Sequence, residues 1–95
     1  MFVVFLRFSQ DRQNAPKFMA AHKAWIRRGL DDGVFLLAGS LPPNLGGGIL
    51  AHNTSRPDLE KRLRADPFVE EGVVSFEIVE ITPALTDQRL AFLAA

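Results

Sequence analysis

Ninety-five residues suffice for one domain and leave no room for a second. The composition, 47% hydrophobic and 23% charged, is that of an ordinary globular chain. Eleven basic residues balance eleven acidic ones at a pI near 6.7, so no strong field exists to draw nucleic acid or an acidic membrane surface as a partner. The lack of any cysteine excludes disulfides, thiolate nucleophiles and thiolate metal sites, and fits a reducing, cytoplasmic setting. The apolar start from Met1 to Leu6 breaks at Arg7 and is too short for a signal peptide or a membrane span.

Phe2 to Phe8 is a run of β-branched and aromatic residues, which predicts a strand. Both of its alternating faces are apolar: Phe2, Val4, Leu6 and Phe8 on one, Val3 and Phe5 on the other, interrupted only by Arg7. Such a strand needs cover on both sides. After a polar loop, Asn14 offers an N-cap with Pro16 in the first turn. Ala15, Phe18, Met19, Trp25, Ile26 and Leu30 then recur along one helical face, with Lys17, Lys23, Arg27, Arg28 and Asp31 mostly on the other. Gly33 supplies the stop.

Val34 to Leu41 reads as a second strand, broken by Pro42-Pro43-Asn44, with Gly46-Gly47-Gly48 as a flexible hairpin connection. The glycines lack the Gly-Lys-Ser/Thr ending of a phosphate loop. Gly48 to Asn53 is expected as a third, shorter strand. Ser55 and Asp58 form a capping-box-like start for a second helix from Arg56 to Ala65, with Leu59 and Leu63 as its apolar stripe. Asp66-Pro67 ends it, because a residue before proline is pushed out of the helical region. Val73 to Thr82 is a fourth strand, and the extension from Pro83 to Ala95 predicts a short docking helix.

The order β-α-β-β-α-β is the split βαβ, ferredoxin-like arrangement of the α+β class, one domain with its core in residues 1–82. Right-handed crossovers put both helices on one face of an antiparallel sheet. The other face is left bare yet apolar, which predicts a homodimer packed through the sheet face.

Two polar residues interrupt the inner stripes. His22 lies four residues after Phe18 and four before Ile26, and Asp66 lies three after Leu63, so both project inward. An imidazole held by a carboxylate is an acid–base unit: the carboxylate fixes the tautomer and stabilises the imidazolium. The plainer alternatives are a core histidine with a satisfied ring and an Asp66 that caps the turn Pro67-Phe68-Val69-Glu70. Ser40, after Gly39 at the end of the second strand, is a candidate substrate hydrogen-bonder or a turn starter. Arg7 is a candidate for binding a substrate carboxylate, or for bridging a dimer to an acid such as Glu77. His22, His52 and Asp66 match no standard metal-ligand spacing, and neither a metal nor a cofactor is expected. Trp25 and Phe68 read as pocket wall or core.

At these residues the sequence resembles the YCII-related family of small ferredoxin-like proteins. The carriers are Ala21-His22-Lys23-Ala24-Trp25, Leu37-Ala38-Gly39-Ser40, Ala65-Asp66-Pro67-Phe68 and the run Glu71-Gly72-Val73-Val74, in order from the first strand to about Thr82. The resemblance implies a dimeric α+β barrel with an active site around a His–Asp pair, here His22 and Asp66. A relative acts as a dehydrochlorinase on a chlorinated muconolactone, and muconolactone isomerases share the wider architecture. Both reactions need proton removal beside a carbonyl, which implies a small-molecule lyase or isomerase working on an acidic or lactone-like metabolite. A non-catalytic ligand-binding module is the alternative. A cofactor-free or haem-linked monooxygenase, which shares the barrel, draws little from the residues. The extension beyond Pro83 lies outside the shared pattern; it is free to dock on its own subunit or on a partner, and reshaping the pocket entrance is one role open to it.

Overall fold

A computed structural model describes residues 1–94; Ala95, the last residue of the expected terminal helix, lies outside the described residues. The strands are β1 (Phe2–Phe8), β2 (Phe35–Leu41), β3 (Gly46–Ala51) and β4 (Val74–Glu80), and the helices α1 (Ala15–Asp31), α2 (Arg56–Arg64) and the short α3 (Pro67–Glu70). The sheet runs β2-β3-β1-β4 with every pair antiparallel, the ferredoxin-like order. No helix among the described residues is long and apolar enough to cross a membrane.

The two-faced apolar character of β1 is explained by its central position, where it pairs with β3 on one side and β4 on the other. Phe2, Val4 and Leu6 face the helices and are buried, joining Ile49, Ala51, Val74 and Ile78. The helices contribute Trp25, Leu59, Leu63 and Phe68 to the same core. The register places Val3 between Leu50 and Val79, with Leu37 beyond Leu50, so one apolar row crosses all four strands on the helix-free face. Leu37 and Val79 in that row are 52% and 40% exposed.

Several local expectations change in detail. Asn14 makes no side-chain cap; a 3-10 turn at Arg12–Asn14 feeds α1 instead, its backbone closed by the Asn14 N–H on the Asp11 carbonyl. At the other end Gly33 takes a positive φ of 74°, and the Gly33 and Val34 N–H groups donate to the Leu30 and Gly29 carbonyls, the double bond of a Schellman stop. Ser55 caps α2 as its spacing suggests, its hydroxyl accepting from the Asp58 N–H at 3.2 Å.

Gly46 to Gly48 are not a flexible connection. All three pair with β1 and β2 inside β3, and the turn is Pro42 to Leu45. Gly46 has a φ of 142°, and a Cβ there would lie 1.8 Å from the Leu6 carbonyl oxygen, so the close approach of β3 to β1 requires glycine. Gly29 is forced in another way: the Phe35 ring lies against it, its Cδ2 2.1 Å from where a Cβ would sit. That contact seats α1 on β2, and the Trp25 ring meets Phe35 edge-on at 5.1 Å. Trp25 Nε1–H also donates to the Arg62 carbonyl at 3.0 Å, tying α1 to α2.

The chain after β4 forms a short 3-10 helix at Gln88–Ala94. Phe92 packs edge-on against His52 at 5.5 Å, and Leu93 lies with Met1 and Phe2. Arg89 folds back on Asp87, whose carboxyl it holds below the ordinary range. This docking occurs within one chain, at the sheet end where β1 begins and β3 finishes.

Candidate functional site

At the opposite sheet end, between α1 and the sheet, lies an open cavity of about 280 Å³. Its walls are largely apolar: Leu6 and Phe8 from β1, Met19 and Ile26 from α1, Ala38 from β2, and Phe68 from α3. Glycine makes this space. Gly39, Gly46 and Gly47 line the sheet side with backbone alone. Gly47, paired with Leu6 in the row that faces the helices, is the one whose side chain would enter the space. The C-terminal segment docks at the far end and does not line this entrance in its own chain.

His22 reaches the cavity from the middle of α1 with 9% of its surface exposed. Its Nδ1 lies 2.8 Å from Asp66 Oδ1, bridging residues 44 apart in sequence. Asp66 is completely buried at the junction of α2 and α3. The same Oδ1 accepts the Phe68 N–H at 3.0 Å, so Asp66 is both the N-cap of α3 and the partner of His22. The cap and the bond to His22 do not exclude each other, and the cap fixes the carboxylate that meets the imidazole. Oδ2 is buried without a hydrogen-bond partner among the described residues.

The imidazole is also held by its faces. The Phe68 ring stacks on it at 4.0 Å and 6° between planes, and Trp25 lies at 5.9 Å and 23°. With Asp66 ionised, Nδ1 carries the hydrogen and donates it to the carboxylate, which leaves Nε2 with its lone pair as the nitrogen a ligand can meet. No hydrogen bond among the described residues engages Nε2. The Nδ1 contact and the stacked Phe68 ring together fix the orientation of the imidazole.

Ser40 lines the cavity on β2, so the structure brings His22, Asp66 and Ser40 to one place. Arg7 is not among them. It points to the helix-free face, where its guanidinium lies 2.6 Å from Glu77 of the same chain and over the Phe5 ring at 4.8 Å. The reason is strand alternation: Leu6 and Phe8 face the cavity, so Arg7 between them cannot. His52 sits at the far sheet end against Phe92, and the set His22, His52 and Asp66 is not assembled. Sequence reasoning missed Lys23, which it placed on the outer helical face; it lines the cavity rim. The available signal was its spacing: Met19 precedes it by four and Ile26 follows by three, so all three share an edge of α1.

A four-stranded antiparallel sheet carrying its helices on one face, with a buried His–Asp pair beside an apolar cavity, defines a small ferredoxin-like α+β protein with a ligand-sized site. The YCII-related domain matches residues 1–84, and the chain belongs to that family. Among solved structures, it is similar to the 5-chloro-2-hydroxyhydroquinone dehydrochlorinase of Burkholderia phenoliruptrix AC1100 in complex with 2,5-dihydroxybenzoquinone. That similarity has a TM-score of 0.69 at 15% sequence identity, covering 85% of this chain and 93% of the other. At that identity the likeness establishes the fold. Among curated proteins no match is found.

Proposed function

We propose that this protein is a small-molecule lyase or isomerase in which His22 moves a proton and Asp66 holds it in position. The observation that carries the reading is the 2.8 Å His22–Asp66 hydrogen bond at the wall of an open cavity rather than sealed in core. A C–H bond beside a carbonyl is acidic enough for such a base. In the step proposed, Nε2 takes the proton and the C–H electron pair moves into the carbonyl, giving an enolate. The pair then returns either to take a proton at another carbon, which is isomerisation, or to expel a leaving group, which is elimination. Asp66 stabilises the imidazolium meanwhile. Dehydrochlorination by the structural neighbour is an elimination, which supports the class of reaction without fixing the substrate.

The apolar row Leu37–Leu50–Val3–Val79 is the part of the surface best suited to a second copy, and we propose a homodimer through this face. The absence of cysteine is what speaks for a cytoplasmic setting.

The test is hydrogen–deuterium exchange in D₂O on a panel of small hydroxyquinones, lactones and unsaturated acids, followed by proton NMR. Wild type should accelerate exchange or conversion of at least one member, and His22→Gln should lower that rate about 10²–10⁴-fold, the usual worth of a positioned general base. Equal rates in the two proteins would overturn the assignment. Binding without any exchange, with affinity in His22→Gln within a few-fold of wild type, would identify a non-catalytic ligand module instead.

A further inference from the structure

The polar inventory of the cavity is short and one-sided. Its polar side chains are the imidazole of His22, the ammonium of Lys23 and the hydroxyl of Ser40; no carboxylate lines it. Asp66 stands behind His22, fully buried, with Oδ1 committed to His22 and Phe68. Neither Lys23 nor Ser40 has a side-chain hydrogen bond or ion pair among the described residues. Other basic residues are also free of acidic partners, so what distinguishes Lys23 is its place: it stands beside low-dielectric walls of Leu6, Met19, Ile26 and Phe68. A charge at the edge of such walls is screened less than one on an open surface.

We infer that the cavity is built for an organic anion, with Lys23 holding a carboxylate or phenolate oxygen at the mouth while the apolar body of the molecule enters towards His22. This deepens the reading of the cavity as the substrate site and rests on it. The ligand class follows from complementarity. A cationic ligand would meet an ammonium and no carboxylate in the lining, and a purely apolar one would make no use of Lys23, which is exposed at the rim. An amphipathic anion satisfies Lys23 and fills the apolar walls, and Ser40 offers a hydroxyl to a further oxygen across the cavity from α1. For a base acting beside a carbonyl, an anchored oxyanion also fixes which carbon faces Nε2. Lys23 is therefore assigned as the residue that selects and orients the substrate.

Benzoate and benzamide are the probes, nearly identical in shape and different in charge. Each is titrated into the intact protein, with the amide signals of Ser40, Gly46 and Gly47 as reporters of the cavity. Wild type should bind benzoate at least tenfold more tightly than benzamide, equivalent to about 1.4 kcal/mol. Lys23→Gln should bring the ratio within twofold with benzamide affinity unchanged, and Lys23→Arg should keep the preference. His22→Gln should keep it too, although it removes the proposed base.

A wild-type ratio near one, a preference that survives Lys23→Gln, or saturable shifts with neither probe overturns the inference. So does loss of the preference in His22→Gln but not in Lys23→Gln, which would make the imidazole the anion holder. Failure of the exchange experiment with the benzoate preference intact would remove the catalytic reading alone.

Discussion

Asp66→Ala is the substitution that asks most of the site. In the folded protein Asp66 Oδ1 accepts from the Phe68 N–H at 3.0 Å and stands 2.8 Å from His22 Nδ1. Losing the cap of α3 costs about 1 kcal/mol, the usual worth of an aspartate N-cap. Leaving the nearly buried Nδ1–H of His22 without an acceptor costs about 1–3 kcal/mol more. Removing Oδ2, which has no hydrogen-bond partner among the described residues, offsets a part of this. The expected loss is then at most about 2–4 kcal/mol. For a domain of this size each 1 kcal/mol moves the midpoint by roughly 4–8 °C, so thermal unfolding resolves it easily. Asp66→Asn should cost less, about 1–2 kcal/mol, because its carbonyl oxygen keeps both acceptor roles while the charge is lost.

A double-mutant cycle separates the two bonds. Phenylalanine at position 22 can stack on Phe68 but asks nothing of Asp66. In that background Asp66→Ala should cost only the cap, about 1 kcal/mol. Chemical denaturation of the four proteins measures the coupling, and ring-nitrogen NMR of wild type should show the hydrogen on Nδ1. An equal cost in both backgrounds would show that the His22–Asp66 bond contributes nothing to the fold. A loss below about 0.5 kcal/mol in the wild-type background would refute the capping argument as well.

Gly29→Ala should destabilise by about 1–3 kcal/mol, although alanine is the better helix former, because its Cβ would sit 2.1 Å from the Phe35 ring. Denaturation decides the sign, and a more stable variant would show that the ring yields freely. Leu50→Lys places a charge in the apolar row of the helix-free face and should shift the sedimenting species towards the 10.5 kDa monomer. A monomeric wild type, or a dimer untouched by this change, would remove the proposed homodimer.

The elements were legible because the signals behind them are local. Alternation in β1, the apolar stripe of α1 and the Ser55 cap of α2 act over a turn or less, and the structure reproduces them within a residue or two. The triple glycine misled for a related reason. Glycine marks conformational freedom in a sequence, but Gly46 is required by the Leu6 carbonyl beside it, and that neighbour lies about forty residues away. Lys23 was placed outward because a broad helical stripe has edges, and periodicity does not say which edge borders an empty space. Arg7 was offered two roles; alternation settled that it faces away from His22, and only the register brought Glu77 to it.

What the sequence determined by itself is which side of each element turns inward, and with it the presence of His22 and Asp66 on inner faces. Side-chain direction repeats with the backbone, so a period of two or of 3.6 carries that information along the chain. Only the tertiary structure decided that the two groups stand 2.8 Å apart, that Asp66 also caps α3, and that a cavity opens beside them. Distances of that kind depend on how α1 seats on β2 through Gly29 and Phe35 and on where α2 gives way to α3. Those are packing outcomes between residues far apart in the chain, and no local pattern encodes them.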